Sequence, residues 1–342
     1  MKGSERARDY FIDNLKAVLI TLVVIEHFSM KYNWVPFIAR TGKIIDTFSM
    51  PCFVFVSGYL AKRVHKDGKL RADKILSFLW LYVVFEVLLS LVKWCFGGGF
   101  SLKLFYASQA PWYLLSMAVW YLMVPFIERI RPSWMLAGSV AAGVLAGYID
   151  RIGRDFSMSR NFVYLPFFIL GFYVTGEQLR KFLNRKILRV AAVVVLAGTL
   201  FLYLFRYEYD LLRSFLGVIF GAVPYSQIDA LPSADLGGPF RLLWYGAAVL
   251  LFAAVMQMVP RKKTWFSVLG ARTLQVYVLH VVVRNVLIYC GFVDWCRILP
   301  GEINFLLVWG GSILLAILLG NPLFEKVFHF LEGGRLFGKL LK

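Results

Sequence analysis

The chain has 342 residues, of which 59% are hydrophobic and only 17% are charged, and its mean hydropathy is +0.67. A soluble domain of this length needs more polar surface to cover its core, so the composition excludes an ordinary globular protein and predicts a polytopic membrane protein. The formal net charge of +18 is spread over short basic clusters between apolar runs. That arrangement is typical of membrane topology and argues against a nucleic-acid partner.

Ten apolar runs approach the length of roughly 20 residues that a transmembrane helix needs. In chain order the predicted spans are about 12–30, 44–61, 75–95, 111–127, 134–149, 161–178, 188–206, 240–259, 271–290 and 302–320. No internal repeat, low-complexity tract or soluble second domain interrupts them. We therefore expect residues 1–342 to form a single all-α membrane domain of about ten transmembrane helices.

The distribution of Lys and Arg predicts the orientation of this bundle. With the N-terminus in the cytoplasm, the inside connections hold 24 of the 38 basic residues and the outside connections hold 11, while three fall within spans. The positive-inside rule then predicts that both termini lie in the cytoplasm, in a bacterial-type cytoplasmic membrane. The most basic connection, 62–74, is expected to touch anionic membrane lipid.

The first predicted span carries ionisable residues near both of its ends. Lys16 and His27 are eleven residues apart, about three helical turns, so both side chains project from one face, roughly 16 Å apart along the axis. A histidine deep in a span is costly unless it faces a cavity or a partner, although the helix could also simply end there at the outer interface. Glu26 lies about 100° round the helix from His27, so we expect it to face a neighbouring helix and to act on the imidazole only indirectly.

The separation of Lys16 and His27 suits an acyl-coenzyme A donor. The thioester of such a donor hangs below its phosphates on an arm of about 15–20 Å. A cation at the cytoplasmic mouth would hold a phosphate while the thioester reaches the deep imidazole. His27 would then act as a general base on an acceptor hydroxyl, or as a transient acyl carrier.

The stretch IDNLKAVLITLVVIEHF at 12–28 resembles the first helix of the acyltransferase 3 family of membrane O-acyltransferases, especially its fucose 4-O-acetylase-like branch. Asp13 and His27 match the acid and the histidine of the family motif. Lys16 stands where the family has arginine, which keeps the charge but loses the planar fork of the guanidinium. The resemblance implies acetyl-coenzyme A as a cosubstrate bound from the cytoplasm, a sugar or cell-envelope glycan (carbohydrate or glycolipid) as the acceptor, and His27 as the central catalytic group.

FSMPCFVFVSGYL at 48–60 resembles the family's second-helix segment that ends in Ser-Gly. The resemblance implies that Ser57 and Tyr59 lie near the pantetheine arm, although Ser57 could equally be a hydroxyl that packs helices together. Arg71 and Lys74 match the basic positions that follow this helix in the family. We expect both to contact the donor's phosphates.

PWYLLSMAVWYLMVPF at 111–126 resembles the aromatic segment that opens the family's fourth helix on the outer side. It makes Trp112 and Tyr113 candidates for acceptor binding, the alternative being an aromatic belt at the membrane interface. Asp46 begins the second span from the outside. It is a further candidate, at the entrance for the acceptor.

LGARTLQVYVLH at 269–280 resembles the family's late motif. Tyr277, His280 and Arg284 fall at i, i+3 and i+7, on one helical face, and are expected to contact substrate. Because an arginine inside the membrane demands a partner or a polar cavity, this face predicts a buried polar seam. Whether His280 is catalytic or only structural is left open by the sequence.

Two other functions are compatible with the same residues. A transporter of a sugar, lipid-linked sugar or amino acid would also use intramembrane charges, but the sequence has no paired inverted repeats of the sort many transporters show. A catalytically degenerate family member that senses or scaffolds is the other alternative, which the replacement at Lys16 keeps open. The histidines and acids do not cluster at metal-ligand spacing, so no metal is expected.

Overall fold

Regular structure in the chain is almost entirely helical. The computed structural model describes residues 9–66, 68–106, 110–206 and 210–331. The α-helices are α1 (Tyr10–Ser29), α2 (Pro36–Ala61), α3 (Ala72–Cys95), α4 (Trp112–Ile127), α5 (Pro132–Leu145), α6 (Met158–Tyr173), α7 (Gly176–Asn184), α8 (Lys186–Phe205), α9 (Asp210–Val218), α10 (Gly237–Met258), α11 (Ser267–Ala271), α12 (Thr273–Tyr289), α13 (Phe292–Cys296), α14 (Gly301–Phe305), α15 (Gly311–Leu319) and α16 (Glu325–Leu331). Leu306–Gly310 is a short π-helix that joins α14 to α15. A two-stranded antiparallel hairpin, β1 (His65–Lys66) and β2 (Lys69–Leu70), lies in the basic connection before α3.

The all-α membrane bundle is confirmed, whereas its number of spans is not fixed. Five helical segments among the described residues are long and apolar enough to cross a membrane, or six if α6 and α7, which meet at a bend of 91°, count as one span. The five segments are α2, α3, α8, the run 234–258 that contains α10, and the run 301–319 through α15. Ten spans, cytoplasmic termini and a single domain over 1–342 stay predictions, and residues 1–8 and 332–342 lie outside the described part of the chain.

Helix α1 lies at the centre of the bundle, in contact with α2, α11, α12 and α15. Its first turn is capped by Asp9, whose carboxylate accepts hydrogen bonds from the amides of Phe11 and Ile12. Although α1 is 20 residues long, it is not among the segments that are apolar enough to cross a membrane. Every 18-residue window within it contains three charged residues, Asp13, Lys16 and Glu26. Helix α1, which carries these three charged residues, is therefore the helix that the others surround.

A buried asparagine fixes the beginning of α1 to the connection between α10 and α11. The Asn14 amide nitrogen donates to the carbonyl oxygens of Pro260 at 2.9 Å and Lys262 at 2.8 Å. Its amide oxygen accepts from the hydroxyls of Thr264 at 2.8 Å and Ser267 at 2.6 Å. With both amide atoms used twice, Asn14 is fully satisfied although its side chain is buried.

Helices α2 and α6 cross at a pair of glycines. A Cβ atom at Gly58 would collide with the carbonyl oxygen of Phe168, and one at Gly171 would collide with the carbonyl oxygen of Phe55. The two backbones therefore touch directly, as small residues permit in membrane helix pairs. This contact holds the half of α2 that carries Ser57 against α6.

Candidate active site

Two openings lie along α1, one towards each of its ends. The first, which we call the Lys16 cleft, has a volume of about 180 Å³ and is lined by α1, α2, α4, α12 and one residue of α3. The second, the His27 cavity, is larger, at about 980 Å³. Met50 and Tyr277 line both, so the cleft and the cavity approach each other at these two side chains.

A pair of histidines joins α1 to α12. Nδ1 of His27 lies 2.7 Å from Nε2 of His280, and the two rings are stacked with centroids 5.0 Å apart. Nδ1 of His280 lies 2.8 Å from the carbonyl oxygen of Val276, which can only accept a hydrogen bond, so a neutral His280 carries its proton on Nδ1. Its Nε2 then accepts the Nδ1 proton of His27. The lone pair of His27 Nε2 is left for chemistry.

Glu26 corrects one of the predictions from the sequence. Its carboxylate lies 3.4 Å from Nε2 of His27, and both side chains line the His27 cavity, so the expectation that Glu26 acts on the imidazole only indirectly is wrong, whereas the predicted contact with a neighbouring helix is present. The two Cα–Cβ bonds diverge by about 100°, but the glutamate side chain is long enough to bring its carboxylate back to the imidazole. Asp46 of α2 lines the same cavity and interacts with Glu26.

Cations complete the polar seam that the late motif predicts. Arg284 is buried; its Nη1 donates to the carbonyl oxygen of His27 at 3.4 Å and its Nη2 to the amide oxygen of Asn285 at 3.2 Å. Nζ of Lys43 lies 3.4 Å from the carboxylate of Asp46. The seam therefore holds both positive and negative groups in the cavity that His27 lines.

The Lys16 cleft has a different polar lining. Nζ of Lys16 lies 3.6 Å from the carboxylate of Asp13. The Ser57 hydroxyl donates to the carbonyl oxygen of Phe53 at 2.8 Å and lies 2.6 Å from the Tyr113 hydroxyl. Both of the sequence interpretations of Ser57 thus describe its position, because it packs against its own helix and also lines the cleft.

Trp112 and Tyr113 point into the bundle, so an aromatic belt at the membrane interface is the wrong interpretation of both. Trp112 is 7% exposed and lines the His27 cavity, whereas Tyr113 lines the Lys16 cleft beside Ser57. Consecutive residues of a helix diverge by about 100°, so the two rings reach different openings. Acceptor binding stays a prediction for Trp112, and Tyr113 lies in the opening that also holds Lys16 and Ser57.

Tyr59 does not line the Lys16 cleft. Ser57 and Tyr59 are two residues apart, about 200° round α2, so only one of them can face the opening. The Tyr59 ring lies under the ammonium group of Lys62, 4.8 Å from its centroid. The expected contact between Tyr59 and a pantetheine arm is therefore not supported by its position.

Arg71 and Lys74 are not part of the cleft lining. Arg71 is an exposed residue whose Nη2 lies 2.5 Å from the carboxylate of Asp73. It also interacts with Tyr121, a lining residue, and Lys74 is exposed one turn into α3. Contact with a donor's phosphates stays a prediction for both.

Several lining residues were not predicted from the sequence, among them Tyr121 and Arg160. Tyr121 lines the Lys16 cleft eight residues after Tyr113, a helical spacing that the aromatic segment already contained. Arg160, in the first turn of α6, lines the His27 cavity with its guanidinium 5.1 Å from the Trp112 ring centroid. Arg160 lies outside the sequence motifs described above. The only feature of the sequence that pointed to it was a charge at the beginning of an apolar run.

A family model for an acyltransferase domain matches residues 9–322, nearly the whole chain. Comparison with curated proteins and with solved structures found no match. The matched region includes α1, α2, α4 and α12, which carry the histidine pair and both openings. The chain therefore belongs to the acyltransferase 3 family and is a multi-pass membrane acyltransferase.

Proposed function

We propose that the protein is an O-acyltransferase that moves an acetyl group from acetyl-coenzyme A to a hydroxyl of a sugar or cell-envelope glycan, as its resemblance to the fucose 4-O-acetylase-like branch implies. The observation that carries the proposal is the His27–His280 pair, in which the His280 ring centroid lies 6.2 Å from that of Tyr277, a residue that lines both the Lys16 cleft and the His27 cavity. A transfer enzyme needs two substrates to meet at one base. This arrangement gives each substrate its own opening.

The Lys16 cleft suits the donor. With the N-terminus in the cytoplasm, it opens towards the compartment that supplies acetyl-coenzyme A. Lys16 then holds a phosphate, which a lysine ammonium does as a point charge. The pantetheine arm passes the hydroxyls of Ser57 and Tyr113 and brings the thioester to Tyr277, where the cleft and the cavity approach each other.

The histidine pair suits general base catalysis. Nε2 of His27 takes the proton of the acceptor hydroxyl as the hydroxyl oxygen attacks the thioester carbonyl carbon. An ester C–O bond forms and the C–S bond breaks. The imidazolium then gives its proton to the leaving thiolate, so coenzyme A departs as a thiol and His27 returns to its neutral form. The Glu26 carboxylate, 3.4 Å from Nε2, stabilises the imidazolium between these two proton transfers.

Purified protein in vesicles, given labelled acetyl-coenzyme A and a panel of saccharides, tests this proposal. We expect labelled saccharide ester and free coenzyme A thiol in equal amounts, with slow hydrolysis when no saccharide is present. Binding of acetyl-coenzyme A without turnover would instead identify a sensor. Movement of a saccharide across the membrane without ester formation would identify a transporter.

His280 is a positioning residue in this mechanism, because it acts on substrate only through His27. Replacing His280 with Phe removes the acceptor for the Nδ1 proton of His27 and is expected to lower kcat about 10²-fold with little change in the KM for acetyl-coenzyme A. His280→Gln, whose amide oxygen can accept the same proton, is expected to restore part of the activity. Equal losses in the two variants would show that His280 acts only through packing.

A further inference from the structure

The lining of the His27 cavity has an excess of positive charge. Among the described residues, its basic side chains are Lys31, Arg40, Lys43, Arg154, Arg160 and Arg284, and its acidic ones are Glu26 and Asp46. Six cations and two carboxylates leave a formal charge of +4 with His27 neutral. Asp46 is paired with Lys43 and also interacts with Arg160, and Glu26 lies against the imidazole and interacts with Arg284, so the two carboxylates offset only part of this charge.

Arg160 is the cation most clearly prepared for a ligand. Its Nε donates to the carbonyl oxygen of Phe220 at 3.3 Å, and its guanidinium lies over the Trp112 ring. These two contacts fix the plane of the guanidinium at the cavity wall. No residue in the described ranges accepts a hydrogen bond from its two terminal nitrogens, the pair that binds carboxylate or phosphate in the bidentate manner.

A second arginine lies directly behind the same wall. Arg241 of α10 is fully buried between the rings of Tyr225 and Trp244, and its Nη1 adjoins Gly221. The neighbours of Gly221 in the chain, 220 and 222, both line the cavity. No carboxylate of the described residues pairs with Arg241, whose guanidinium interacts with the neutral hydroxyl of Tyr245. A buried charge of this kind is costly, and an anion in the adjoining cavity lowers that cost.

We infer that the acceptor carries an anionic group, a carboxylate or a phosphate, which Arg160 binds in the His27 cavity while the reacting hydroxyl lies at His27. This inference rests on the proposed function, because it assigns the cavity to the acceptor. A neutral saccharide offers the terminal nitrogens of Arg160 only neutral hydroxyl oxygens, which do not compensate the charge of the guanidinium. An acidic saccharide, or a saccharide next to a phosphate, supplies an anionic hydrogen-bond acceptor for both terminal nitrogens of Arg160.

Binding measured without any acyl donor tests the inference. The probes are methyl β-glucoside, methyl β-glucuronide and glucose 6-phosphate. The glucuronide differs from the glucoside only in having a carboxylate in place of the hydroxymethyl group. We expect the two anionic probes to bind about tenfold or more tightly than the glucoside, since a hydrogen bond to a charged group is stronger than a neutral one. The preference should shrink at about 0.5 M salt, and comparison of the two anions separates carboxylate from phosphate recognition.

Variants of Arg160 test whether this residue causes the tighter binding of the anionic probes. Arg160→Gln is expected to remove most of the preference, and Arg160→Lys to retain part of it. Arg189→Gln removes an exposed charge on α8 that lines neither opening and should leave the preference unchanged. Equal binding of glucoside and glucuronide by the wild-type protein, or a full preference in Arg160→Gln, would overturn the inference. Because no acetyl-coenzyme A is present, a failure of acyl transfer is a separate result that contradicts the proposed function alone.

Discussion

Replacing His27 with alanine is expected to lower kcat for acetyl transfer about 10³-fold while the KM for acetyl-coenzyme A changes little. The reason is that the hydrogen bond to His280 leaves Nε2 of His27 with a free lone pair, and the proposed mechanism uses this lone pair to take the acceptor's proton. The measurement is steady-state release of coenzyme A thiol in the presence of acceptor, with binding of the donor followed separately.

A matched control distinguishes loss of the base from loss of a histidine in general. His329→Gln changes a half-exposed histidine of α16, outside both openings, and is expected to keep full activity. Thermal unfolding of His27→Ala near the wild-type temperature would show that the bundle is intact. A His27→Ala variant that folds normally and still transfers acetyl at the wild-type rate would exclude this mechanism.

The second large effect is on stability and comes from the crossing of α2 and α6. Gly58→Ala places a Cβ atom against the backbone carbonyl of Phe168, which cannot move aside as a flexible side chain can. Overpacking of this kind typically costs about 1–3 kcal/mol, and we expect the upper end of that range because the colliding atoms are backbone. Thermal unfolding in detergent measures the effect.

Gly246→Ala on α10 is the control for this substitution, because a Cβ atom there meets open space. It should be neutral or slightly stabilising, since alanine favours helix over glycine. Gly171→Ala, on the other side of the crossing, should destabilise the protein about as much as Gly58→Ala. A neutral Gly58→Ala would show that α2 and α6 separate easily and that their crossing does not set the position of Ser57.

Apolar length and periodicity predict much of the fold, and they are least informative where charge interrupts a span. The long runs of α2, α3, α8 and α10 were visible in composition alone because burying such runs leaves few alternatives to a membrane helix. Helix α1 was predicted as the first apolar run, 12–30, although its three charged residues keep it out of the helices that qualify as spans by length and composition. The bend of 91° between α6 and α7 was not predicted, since it depends on packing rather than on the apolar run.

The candidate site was predictable where side chains share one helix, and less so where two helices meet. The face of Tyr277, His280 and Arg284 followed from spacing within α12. The 2.7 Å contact between His280 and His27 joins residues 253 positions apart and needed the structure. The prediction for Tyr59 was wrong because a rotation of about 200° round α2 separates it from Ser57, which lines the cleft.

A structure of the protein with coenzyme A bound tests most directly whether the donor and acceptor meet at His27 from separate openings. We expect the phosphates beside Lys16, the pantetheine arm along Ser57 and Tyr113, and the sulfur at Tyr277, with the His27 cavity left open for the acceptor. Coenzyme A seated in the His27 cavity, or outside both openings, would contradict this arrangement.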